Sequence, residues 1–186
     1  MMSVHIIQGP PEEQQICVDC GFCCDGTIFE CASLKPGERG NIPVKMVTGT
    51  VPEKGEEYFH LPCPYFNKKC TIYDLKRAEV CGTFRCQLLK KFAAGELSPD
   101  QAINVISVAA GMRMEIKIKF QRLTGRSEAI SFRQMIRELG KIVKAEKNGQ
   151  SFREEIELLI VRCNIFEALL IKHFRSEDDF EKLVMK

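Results

Sequence analysis

The longest regular run of apolar positions lies near the C-terminal end. Phe152, Ile156, Leu159, Cys163, Phe166, Leu170 and Phe174 recur at spacings of three and four. That spacing lays them in one stripe along a helix. Ser151 followed by Glu154 has the form of a capping box that opens such a helix. Ile160, Val161, Ile165, Leu169 and Ile171 flank the stripe. The helix is therefore expected to be buried on two sides, within the chain or against a protein partner, a second copy included. A cysteine inside an apolar stripe behaves as a small hydrophobe, so Cys163 reads as core.

Upstream, the pattern predicts two more helices. In "LSPDQA", Ser98 can cap a helix and Pro99 fits its first turn. This helix runs to about Gly111. Beyond it, "MEIKIKF" alternates with period two, so the chain either continues as helix or turns to strand. The second helix covers about Ser127 to Lys147 and ends at "NG". Before residue 90 the runs are short and punctuated. "HIIQ" reads as a short strand. "NIPVKMVTGTV" and "EEYFHL" read as a hairpin-like pair about the turn residues "PEKG". "GTFRCQLLKKFAAG" reads as a short helix that Gly95 ends. The expected fold is mainly α: a small irregular cysteine-rich module with short strands over residues 1–90, then an α-helical region over 91–186.

Composition narrows the partners. The chain has 186 residues, 45% of them hydrophobic, and a formal charge of +2. It is long enough to bury a core without disulfides. Near-neutral charge gives no general reason to expect nucleic acid or an anionic membrane. The basic run Arg113, Lys117, Lys119, Arg122 and Arg126 reads as a solvated face, and nucleic acid is not expected. "IELLIVRCNIFEALLIKHF" is interrupted by Arg162 and Glu167, so no membrane span is expected. The opening "MMSVHIIQGPPEEQQ" lacks a basic and apolar leader. The cytoplasm is the expected compartment, and thiols stay reduced there.

Cysteine changes the picture most. Nine of the ten cysteines lie between residues 17 and 86, and four of them fall inside "CVDCGFCC". Two residues between cysteines let both side chains reach one ion. Cys17, Cys20 and Cys23 repeat that spacing, with Gly21 easing the turn and Asp25-Gly26 turning the chain out. Adjacent Cys23 and Cys24 point apart, which suits two neighbouring centres, or one centre plus a thiol with another role. A second set follows: Cys63 and Cys70 around a six-residue loop, then Cys81 and Cys86. The two sets can supply two four-thiolate sites, or one iron–sulfur cluster with thiols to spare. Thiolates suit zinc or iron–sulfur chemistry rather than magnesium or calcium. The run lacks the fourth cysteine spacing and Cys-Pro of bacterial ferredoxins. His60, three residues before Cys63, reads as a solvent-facing residue at a strand end, and Asp19 and Asp25 read as turn residues.

Together "CVDCGFCC" and "LPCPYFNKKCTIYDLKRAEVCGTFRC" resemble the CxxCxxCC family, also called YkgJ-like cysteine-cluster proteins and described as a zinc- or iron-chelating domain. Cys63-Pro64 matches its Pro-flanked cysteine, Cys70-Thr71-Ile72-Tyr73 its C-x-I-Y element, and Arg77, Cys81 and Phe84 its last element. Ala78 stands where that pattern has proline and Gly82 where it has arginine. The resemblance covers about residues 15 to 90. It implies Cys17, Cys20, Cys23, Cys24, Cys63, Cys70, Cys81 and Cys86 as metal ligands and leaves Cys31 without a role. Flagellin lysine N-methylases look similar in the same cysteine pattern. Three functional readings follow: a cytoplasmic metal-binding protein holding zinc or an iron–sulfur centre, an iron–sulfur enzyme related to those methylases, and a non-enzymatic interaction scaffold. No Ser/His/Asp set, carboxylate pair or phosphate loop adds an enzymatic signature.

Overall fold

The computed structural model describes residues 10–47, 50–53, 56–126, 130–145 and 150–175. The expected strand at "HIIQ" lies outside them, as do the side chains of Ser151 and Phe152. Pro11 opens helix α1 (Pro11–Cys20), where its fixed φ suits the first position and its missing N–H costs nothing. Glu12 and Glu13 in the first turn favour the helix dipole. Gly21 ends α1 at φ 62°, a left-handed conformation natural to glycine.

A turn then leads to strand β1 (Cys31–Leu34), the short helix α2 (Val44–Val47), and strands β2 (Thr50–Glu53) and β3 (Glu56–His60). These strands form an antiparallel sheet in the order β1-β3-β2, with Cys31 opposite His60 and Thr50 opposite Phe59. Of the pair expected about "PEKG", Thr50–Glu53 does pair with β3, but Val44–Val47 of "NIPVKMVTGTV" is helix α2 rather than strand. Strands β4 (Phe66–Asn67) and β5 (Lys69–Cys70) make a minimal hairpin.

Helices α3 (Glu79–Thr83), α4 (Gln87–Ala93), α5 (Pro99–Thr124), α6 (Phe132–Ala145) and α7 (Gln150–His173) follow. The fold is mainly α with short strands, as expected. One further local expectation is overturned and two open choices narrow. "GTFRCQLLKKFAAG" is not one helix: Phe84 turns extended and sets its ring edge-on against Phe29, centroids 5.1 Å apart, so the chain restarts as α4 after Cys86. The open choice at "MEIKIKF" resolves to helix, because α5 continues to Thr124. There Ile116 and Phe120, four apart, are buried while Met114 and Ile118 are exposed. The second outer side of α7 is not buried within the chain, since Leu158, Val161 and Ile165 face solvent.

Ser98 caps α5 as expected: its hydroxyl accepts from Gln101 N–H at 3.2 Å, and Gln101 Oε1 accepts from Ser98 N–H at 2.8 Å. Two apolar cores result. The larger joins Ile16, Phe22 and Ile28 to the buried faces of α4 to α7. Cys163 lies inside it, 2% exposed. The smaller holds Leu34, Ile42, Met46, Phe59, Leu61, Ile72 and Ala78, under the sheet.

Candidate metal centre

The cysteine-bearing turn is held from three directions. Asp25 accepts from Thr27 N–H at 2.9 Å and pairs with Arg113 of α5. The Arg113 guanidinium also lies 4.8 Å from the Phe22 ring centroid and 3.4 Å from Thr27 Oγ1. Arg133 Nε donates to the Ile28 carbonyl at 3.2 Å, and its guanidinium shares Glu167 of α7 with Arg175, at 2.8 and 2.7 Å. Gly26, at φ 74°, passes so close to α6 that an added Cβ would stand 2.6 Å from Ser131 Cβ. Asp25 and Gly26 thus turn the chain as the sequence suggests. Arg113 departs from expectation: it is a half-buried anchor of this turn, not part of a solvated basic face.

Backbone bonds bring the second cysteine set against the first. Leu61 N–H donates to the Glu30 carbonyl at 2.9 Å, and Cys63 N–H to the Cys24 carbonyl at 2.7 Å. Seven cysteines line one cavity of about 360 Å³: Cys17, Cys23, Cys24, Cys31, Cys63, Cys70 and Cys81. Its other walls draw on both cores, among them Phe29, Met46, Phe59 and Ile72. A second, smaller cavity of about 30 Å³ is lined by Cys17, Cys20, Cys23, Cys24 and Cys86. All eight cysteines singled out as ligands therefore line one or other of two cavities that share Cys17, Cys23 and Cys24 as wall. The ten cysteines form no disulfide. Cys31 is exposed on β1, and His60 opposite it is exposed at the end of β3 and lines neither space. Among the described residues no group of three Cys, His, Asp or Glu side chains is drawn together closely enough to hold a metal ion.

The thiols divide into two neighbourhoods. Cys17, Cys20, Cys23 and Cys86 pack against the larger core, whereas Cys63, Cys70 and Cys81 pack against the smaller one. Electrostatic neighbours divide the same way. Those of Cys23 are Cys86, Cys20 and Cys17 before Cys24; those of Cys24 are Cys81, Cys17, Cys70 and Cys63. The adjacent pair looks two ways, with Cys17 between the groups.

Burial governs the charge state. It pushes Cys17 up to about 11 and Cys81 up to about 12, and raises Cys20, Cys23, Cys24 and Cys63. Cys86 is raised by the same desolvation, partly offset by the amides of Leu89 and Leu88 at the start of α4. These seven thiols are thus neutral near pH 7. Among the described residues that line the larger cavity, one is a cation. Arg77 stacks 3.9 Å over the Tyr73 ring, lines the cavity, and lowers Cys17 and Cys81 against the larger effect of burial. Its Nε is buried without a hydrogen-bond partner.

Sequence reasoning missed the Asp25–Arg113 anchor and the role of Arg77 as the cavity's cation. A signal for the first was present. Ala102, Ile106, Ala109, Ile116 and Phe120 form the buried row of α5, and Arg113 falls in that row between Ala109 and Ile116. An arginine at a core position requires a buried partner.

No family model, curated protein or solved structure matches the chain.

Proposed function

We propose that this chain is a cytoplasmic metal-binding protein that holds zinc or an iron–sulfur centre through its cysteine cluster. One observation carries this reading: eight thiols from α1, the turn after it, the segment Cys63 to Cys70, α3 and the start of α4 line two mostly apolar cavities with shared walls and form no disulfides. Such a donor set fits soft, thiophilic metals. The two neighbourhoods support two centres, one using Cys17, Cys20, Cys23 and Cys86, the other Cys24, Cys63, Cys70 and Cys81. Bound zinc would supply folding energy, and a bound iron–sulfur cluster electron transfer. The chain's own contribution is to supply thiolates, to release their protons on loading, and to offset the resulting negative charge with Arg77, whose unpartnered Nε is a donor available to sulfur.

One observation favours the enzymatic version. The cavity of about 360 Å³ falls within the range of small-molecule sites, and Arg77 and Tyr73 give its apolar walls polar anchors. An iron–sulfur centre beside such a space suits a reaction on a small anionic substrate.

Elemental analysis and an absorption spectrum on protein purified without oxygen test both versions. With four thiolates per structural zinc, about two zinc ions per chain are expected. Iron and sulfide with a broad visible band would favour the enzymatic version. Cys20→Ser and Cys70→Ser should each lower metal content and melting temperature. Unchanged metal content and melting temperature in both variants would end the metal reading.

A further inference from the structure

Independently of the metal, we infer that α7 pairs antiparallel with α7 of a second copy of this chain, about a two-fold axis beside position 163. The outer side of α7 carries Glu154, Leu158, Val161, Ile165, Ala168 and Lys172, and all six are exposed. The three central apolar side chains are exposed by 64%, 53% and 55%. Their spacing of four, three, four, three and four is that of a helix–helix seam, and it runs for about 27 Å at 1.5 Å per residue. This is a different row from the buried stripe of Ile156, Leu159, Cys163, Phe166 and Leu170.

The seam names its occupant. Its six positions are symmetric about 163. An antiparallel copy therefore sets Glu154 opposite Lys172, Leu158 opposite Ala168, and Val161 opposite Ile165, each pairing occurring twice. Opposite charges meet at both ends, and a large side chain faces a small one, the alternation that lets layers interdigitate. A parallel copy would instead set Glu154 against Glu154 and Lys172 against Lys172. An isologous contact needs one self-complementary patch, and this one is self-complementary in a single orientation. The neighbouring helix widens it. Arg162 of α7 reaches Glu115 of α5 at 3.4 Å, and exposed Val108 and Ile118 lie on the same face of α5 as Glu115. A lone helix pair buries little area against the roughly 1,200–2,000 Å² of stable interfaces, so this flank matters.

Sedimentation equilibrium of the full chain at low salt tests the pairing, with far-UV circular dichroism to verify helix content. The wild type should be a dimer. Glu154→Lys and Lys172→Glu should each weaken it roughly tenfold, since either turns two attractive pairs into two repulsive ones. The double variant Glu154→Lys/Lys172→Glu restores the opposite charges and should recover the wild-type constant. Both positions are exposed, and circular dichroism separates any loss of helix at the ends of α7 from a loss of pairing; Val161→Glu, which places a charge in the seam centre, should give a folded monomer. A wild type that is monomeric throughout the micromolar range would overturn the inference, whatever else covered the seam. So would a dimer indifferent to the single exchanges, or one that the double variant fails to recover.

Discussion

Arg113 is kept buried by its partners rather than by its own preference. Desolvation lowers its pKa, yet Asp25 beside it and the Phe22 face beneath it hold the charge. Both side chains of the pair are largely buried, at 17% and 9% exposure. Removing one partner of such a pair leaves an uncompensated charge. Asp25→Ala should therefore cost about 3–5 kcal/mol, while Asp25→Ala with Arg113→Met should recover much of that loss. Denaturant unfolding of the two variants against the wild type measures both numbers, and a double variant no better than the single would refute the charge argument. Cys163 shows the other side of residue-scale legibility. Its neighbours in the apolar row announce its burial, because burial follows from local periodicity alone. Asp25 is 88 positions from Arg113, and no local pattern connects them. The basic residues from Arg113 to Arg126 share a charge but not an environment: Arg113 is anchored, Lys117 is desolvated enough to lower its pKa, and Arg126 pairs with Glu138 at 3.1 Å.

Among the elements, the long helices were legible because each repeats its own instruction over many turns. α5 carries a cap at Ser98 and a buried row every three or four residues. At "MEIKIKF" two periods coexist, since apolar residues at alternate positions also include pairs four apart. Helix wins because Ile116 and Phe120 extend a row already established by Ile106 and Ala109. The break between α3 and α4 was not legible, as it depends on Phe84 finding Phe29, a contact made only in the folded chain. The turn after α1 depends likewise on α6. Gly26 at φ 74° and Gly37 at φ 78° share a backbone conformation, but Gly37 has nothing within 4 Å of an added Cβ. Gly37→Ala should cost about 1–2 kcal/mol, the left-handed penalty alone. Gly26→Ala should cost more, because Ser131 must yield as well, and Ser131 caps α6 through Gln134 N–H at 3.1 Å. Equal losses in thermal melts of the two variants would mean that the turn and α6 do not constrain one another.

At the scale of the whole molecule, the two apolar cores differ in how far each can sustain itself. Among the described residues the larger has eighteen buried members, spread over long helices, and the smaller has seven, from short strands and loops. A core that small supplies little stability and ordinarily needs a staple. Cys63, Cys70 and Cys81 pack against it, and a metal held by them with Cys24 would be that staple. The cysteines on the larger core add to structure that the helices already secure. Cys70→Ser should therefore act regionally. Hydrogen exchange should accelerate in β1, β3 and residues 61–81, while the buried stretches of α5 and α7 keep their protection. Stripping metal with a chelator should reproduce that regional pattern and add faster exchange in α1 and at the start of α4, where the other four thiols sit. Uniform acceleration throughout the chain would show the two cores to be one cooperative unit. No change in β3 would show that the smaller core stands without metal, and the staple would have to be abandoned.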